Sequence, residues 1–132
     1  MIEFKSERLR REWHGGKADE RLLNVLRILA DKFGGLRITC LLRTVEENSV
    51  LPGAAAHSGH IPDALSGQCS AADFNPPESV SDLEQRMAWR ENVGGYVQKH
   101  FRGIRCIPRD HGTAPHVHLE LTGEVILLVQ KK

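Results

Sequence analysis

The chain has 132 residues, enough for one compact domain that buries about two-thirds of its unfolded surface and too few for two independent cores. Its 18 lysines and arginines against 17 acidic residues leave a net charge of +1. This excludes a global field that would recruit nucleic acid or a charged membrane, so any charged partner must be recognised locally.

The opening Met1-Ile-Glu-Phe-Lys-Ser-Glu-Arg is charged at once, and no apolar run near it is long enough for a signal peptide or a membrane span. The expectation is a monomer made and folded in the cytoplasm, without membrane insertion. Between Asp19 and Phe33, Leu22, Leu23, Val25, Leu26, Ile28, Leu29 and Ala30 keep one broad apolar face against Arg21, Asn24, Arg27 and Asp31, which predicts a helix. Gly34-Gly35 should stop it, and Leu36 to Leu42 alternates like a strand with one buried face. Val50 to Gly67 is rich in Gly, Ala, Ser, Pro and His with no period, a loop of the length that carries function in small domains.

Cys69 to Phe74 is a short strand candidate closed by Asn75-Pro76-Pro77, where two prolines remove backbone donors. A second helix should start near Ser79 or Ser81 and run toward Phe101, with Gly94-Gly95 as a break point. Ile104 to Pro108 and Val117 to Leu121 read as strands joined by the polar turn from Arg109 to Pro115, and Val125 to Val129 as one more. The class is therefore α+β, a small, mostly antiparallel sheet with helices packed on it. Cys40, Cys69 and Cys106 have neither the spacing of a zinc ribbon nor the density of a disulfide scaffold and read as buried reduced thiols.

Histidine is the most informative residue type, with His57 and His60 in the loop and His111, His116 and His118 near the last strands. Neutral imidazole is a common zinc ligand. Residues two apart on a strand share a face, so His116 and His118 point into one space. Either both rings bind one metal, or one binds and the other handles the proton of a metal-bound water.

In order along the chain stand Ser58-Gly59-His60, Ala71-Ala72-Asp73-Phe74 and Pro115-His116-Val117-His118-Leu119. This series resembles the pattern S-x-H-x-x-G-x-A-x-D followed by H-x-H of the zinc D-alanyl-D-alanine carboxypeptidase and peptidoglycan endopeptidase superfamily, which also includes hedgehog. Upstream, Ile38-Thr39, Leu42-Arg43-Thr44 and Glu47-Asn48 resemble that family's first strand and turn. Two features depart from it. Twelve residues separate His60 from Asp73, more than the family's usual spacing, with Ile61 to Ser66 reading as an insertion, and Cys69 replaces the expected glycine. Loop growth costs little closure entropy, so the ligands can stay in place. The insertion leaves His57 a rival to His60 and Asp63 a rival to Asp73. His60 is preferred because Ser58 precedes it, and Asp73 because Ala71 and Phe74 flank it.

The resemblance implies a single zinc peptidase-like domain over residues 1–132, with His60, Asp73 and His118 as zinc ligands and His116 as catalytic base. Glu120 is the reserve base or a partner of a ligand, Arg43 the substrate arginine, and Ser58 a substrate contact. Two imidazoles and one carboxylate leave a tetrahedral zinc one open position, as in catalytic sites. The implied activity is hydrolysis in peptidoglycan stem peptides or crosslinks, by a D-Ala-D-Ala carboxypeptidase or an L,D- or D,D-endopeptidase. A leaderless wall hydrolase fits a phage or prophage lysis enzyme acting after release. The alternative is a non-catalytic zinc-containing binding or phage structural module of the same fold.

Other metal folds fit less well. Zinc deaminases need P-C-x-x-C downstream of H-x-E, and no cysteine follows Cys106; cupins need a nearly all-β barrel, which the helix at Asp19 to Phe33 opposes. G-x-S-x-G and phosphate-loop patterns are both absent.

Overall fold

The computed structural model of the chain describes residues 1–50, 58–110 and 115–128. Along the chain run β1 (Ile2–Phe4), α1 (Glu7–His14), α2 (Glu20–Phe33), β2 (Leu36–Cys40), α3 (Val45–Ser49), β3 (Ala71–Asn75), α4 (Leu83–His100), β4 (Phe101–Asp110) and β5 (His116–Leu127). The strands form one sheet in the order β1-β2-β3-β5-β4. The β2–β3, β3–β5 and β4–β5 pairings are antiparallel and β1–β2 is parallel, so the sheet is mixed within the expected α+β class.

The α2 helix lies where its apolar period predicts. Asp19 accepts a hydrogen bond from Arg21 N at its start, and Gly34 adopts the left-handed conformation at its end, φ 76°. Leu22, Leu23, Val25, Leu26 and Leu29 are buried against Leu36, Ile38, Phe74, Val117 and Leu119 of the sheet. The second long helix starts later than expected, at neither Ser79 nor Ser81. Asp82 caps it by accepting from Gln85 N, and α4 then runs unbroken through Gly94-Gly95.

Those glycines have a packing role rather than a breaking one. A Cβ on Gly94 would stand 2.8 Å from Pro108 Cγ, so its absence lets β4 lie close against the helix, whereas Gly95 faces open space. The last strand also differs from expectation. Val125 to Leu127 continues β5 instead of forming a further strand, and Val129 lies outside the described residues. β1, α1 and α3 are additional elements; α1 has only Leu9 and Trp13 as buried apolar residues, and α3 is a five-residue turn of helix closed by a Thr44–Glu47 capping box.

Alternation on β3 and β5 separates core from site. Ala72 and Phe74 pair with Leu119 and Val117 on the core face, while Asp73 pairs with His118, and Ala71 with Glu120, on the other. Among the described residues no helix is long and apolar enough to cross a membrane.

The two adjacent glycines of α4 give opposite mutational signs. Gly94→Ala should destabilise by about 1–3 kcal/mol through overpacking against Pro108. Gly95→Ala, in open helix surface, should stabilise by about 0.5–1 kcal/mol. Urea melts of the two variants beside the wild type measure both.

Candidate metal centre

Asp73 is the hub of the site. The residue is 5% exposed, and three imidazole nitrogens approach the same carboxylate oxygen, Oδ1: His118 Nδ1 at 2.9 Å, His60 Nε2 at 3.1 Å and His116 Nε2 at 3.4 Å. Donor atoms about 2.0–2.2 Å from a tetrahedral zinc stand about 3.3–3.6 Å apart, and each of these nitrogens stands near that distance from the shared oxygen, although neither His116 nor His118 belongs to the group of donors that lie mutually close enough for one ion. The sheet supplies Asp73 from β3 and both His116 and His118 from β5, in the register that sets Asp73 opposite His118.

His60 arrives from a loop held by backbone hydrogen bonds. Ser70 N donates to Gly59 O, Arg43 N donates to His60 O, and Ile61 N donates to Ser58 O. Gly59 lies so close to β3 that a Cβ there would be 2.8 Å from the Cβ of Ala71. The loop is thereby pressed flat and His60, 1% exposed, lies beside Asp73. Ser58 Oγ accepts from His60 N, tying the loop's own turn.

The outer nitrogens of two rings fix the chemistry of the inner ones. His60 Nδ1 donates to Leu41 O at 2.7 Å; a carbonyl can only accept, so in the neutral ring Nε2 carries the lone pair. That Nε2 is buried, with no hydrogen-bond partner among the described residues, and stands 3.1 Å from Asp73 Oδ1. His118 is held on both sides, Nε2 3.0 Å from Glu120 Oε1 and Nδ1 2.9 Å from Asp73 Oδ1, so a metal bound through Nδ1 would take the place of the proton shared with Asp73 while Glu120 oriented the ring. In the neutral ring the lone pair of His60 Nε2 faces a buried carboxylate, a repulsion that a proton or a cation between them removes.

Arg43 turns inward. Its Nη1 donates to Asn48 Oδ1 at 2.8 Å, and its Nη2 lies 3.6 Å from Cys40 Sγ and 3.8 Å from Asp73 Oδ2. The turn that carries it is held by α1, where Arg8 binds Glu47 through both of its carboxylate oxygens and Glu12 accepts from Leu42 N.

Sequence reasoning missed Cys40. Its sulfur, a His60 ring nitrogen and an Asp73 oxygen lie within 4.8 Å of one another, a group that could hold a metal ion. Alternation along β2 places Cys40 with Ile38 on the core face, but a bulge between these two residues sets Cys40 opposite Asp73. Cys69 and Cys106, by contrast, are buried as expected, and burial pushes both thiols up to about 12. Asp63 is not at the site: it is exposed and accepts from Leu65 N and Ser66 N within its own turn. His57 and His111 lie outside the described residues.

Comparison of the chain with protein-family models, curated proteins and solved structures finds no match. The residues themselves carry the reading.

Without a metal, the cluster holds protons instead. Burial opposes charging His60, but the neighbouring Asp73 carboxylate overrides it and lifts the imidazole from 6.5 to about 10. Burial likewise opposes charge on Asp73 and His118, yet Asp73 is held below its ordinary 3.8 by the imidazoles and His118 is raised by Asp73. The raised histidine contributes stability that is complete below pH 6.5 and lost as the pH climbs through about 10. The depressed carboxylate contributes stability present above 3.8 and lost as the pH falls below it. Thermal melts in chelator should therefore show the metal-free protein losing several degrees between pH 7 and 10, and Asp73→Asn should flatten that slope. Because metal must displace these protons, metal affinity should rise across the same window, read by titration at each pH.

Proposed function

We propose that the chain is a zinc-dependent hydrolase that cleaves a peptide bond in peptidoglycan stem peptides or crosslinks. The observation that supports this best is the buried, unpartnered Nε2 of His60, tautomer-fixed by Leu41 O and facing the carboxylate that also receives His118. His60, Asp73 and His118 hold the metal, and the peptidoglycan substrate follows from the resemblance of the motifs. Bound zinc would supply a Lewis acid and lower the pKa of a water reaching it to about 7.

The side chains do the rest. His116, with Nε2 3.4 Å from Asp73 Oδ1, accepts the proton of the attacking water and returns it to the leaving amine. Glu120 fixes His118 through the 3.0 Å contact and so acts on the metal through its ligand rather than on the substrate. Arg43 keeps guanidinium N–H groups beyond those engaged by Asn48 and Cys40, and these bind the substrate's carboxylate or carbonyl. The Ser58 hydroxyl accepts from His60 N and retains its own O–H to donate to substrate.

A second reading, a non-catalytic zinc module, is favoured by the crowding of donors: His116 lies as near to Asp73 Oδ1 as a ligand would, and Cys40 adds a sulfur. The two readings part experimentally. Wild-type protein should carry about one zinc per chain by elemental analysis. His60→Ala and His118→Ala should lose it. His116→Gln should keep it while product release from purified peptidoglycan and stem peptides, followed by mass spectrometry, falls about 10²–10⁴-fold. Zinc-loaded wild type that releases no product would leave the binding module as the function. A protein that takes up no zinc would remove both readings.

A further inference from the structure

We propose that Cys40 is a metal ligand, so that the centre binds its ion through sulfur as well as through nitrogen and oxygen. The inference rests on the metal-centre reading above and extends it to a donor that neither the His-Asp-His motif nor strand alternation supplies.

Three separate features place the sulfur in the site. The bulge between Ile38 and Cys40 sets Cys40 opposite Asp73, where a regular strand would have kept it with the core residue Ile38. The sulfur, the His60 nitrogen and the Asp73 oxygen then lie mutually within 4.8 Å. Arg43 Nη2 reaches both the sulfur, at 3.6 Å, and Asp73 Oδ2, at 3.8 Å, and so holds the two donors on one side of the site. The independent sign of a ligand is again the His60 ring, 1% exposed with its Nε2 unpartnered among these same atoms.

The donor set fixes the class of metal. Thiolate with imidazole and one carboxylate favours zinc, cobalt or cadmium and disfavours magnesium, calcium and manganese, which prefer oxygen. With His60, Asp73 and His118 as the proposed ligands, the sulfur would be a fourth donor, the number that closes a tetrahedral site. On that count substrate or water reaches the metal only when one donor moves away.

The test is cobalt substitution of the full chain, read by absorption. Cobalt-loaded wild type should show a near-ultraviolet thiolate-to-cobalt charge-transfer band together with the visible bands of a tetrahedral ion. Cys40→Ser should lose the charge-transfer band, keep the visible bands and bind zinc at least about tenfold more weakly. In competition, wild type should prefer cadmium to zinc more strongly than Cys40→Ser does. Wild type that binds cobalt without the charge-transfer band would overturn the sulfur ligand while leaving His60, Asp73 and His118 standing. Wild type that binds no cobalt or zinc would overturn the metal centre itself. Because the band is read on the wild type, the result does not depend on the variant folding.

Discussion

A carboxylate buried in the middle of a sheet must be compensated, and the surroundings of Asp73 are arranged to do this. An isolated charge in such a place would cost many kcal/mol, and a residue so placed ordinarily gives up its charge rather than keep it. Here β5 brings two imidazoles to it, the loop at Ser58 to His60 brings a third, and Arg43 approaches its second oxygen. Compensation comes from four side chains on three separate segments, so the carboxylate couples those segments to one another. The sheet register, the flat loop over Ala71 and the turn after β2 all serve a single oxygen pair.

The clamp beneath that arrangement is remote from it. Arg8 and Glu12 of α1 hold Leu42 and Glu47, and through them the stretch whose Leu41 carbonyl fixes the His60 tautomer and whose Arg43 faces Asp73. Exposed ion pairs usually add little stability, but the Arg8–Glu47 pair is bidentate and is joined to a nearly buried Glu12, the geometry in which such pairs fix position. Helix α1 thus acts on the site by placing backbone rather than by touching the cluster.

Much of the architecture could be read from the sequence wherever period and caps agree. The α2 helix combines an apolar stripe from Leu22 to Leu29 with Asp19 before it and Gly34 after it, and the strand pairing His116 with His118 follows from a period of two. The elements missed are those too short for a period: β1 has three residues, and α1 has two buried apolar anchors. Gly94-Gly95 misled because glycine signals a break in isolation, whereas tertiary contact with Pro108 gives it a reason to stay in the helix. At the site, His60, Asp73, His116, His118 and Arg43 do come together, across a spacing longer than the motif resembles. What the letters could not give was the inward turn of Arg43, which depends on Asn48, and the position of Cys40, which depends on one inserted residue of backbone.

That bulge also bears on what the centre can do. Three donors with an open position and four donors around a filled tetrahedron differ by one side chain, yet the first arrangement activates water and the second only holds a fold together. His118 is doubly fixed, by Asp73 on one nitrogen and Glu120 on the other, and His60 is fixed by Leu41, so neither imidazole can leave cheaply. Cys40 sits at the irregular end of β2, partly exposed, with an arginine as its neighbour. Of the four proposed donors it is the one with least structure holding it in place. In the proposed centre the sulfur is the group that would move on opening, and the proposed hydrolysis would then depend on how readily the end of β2 lets it go.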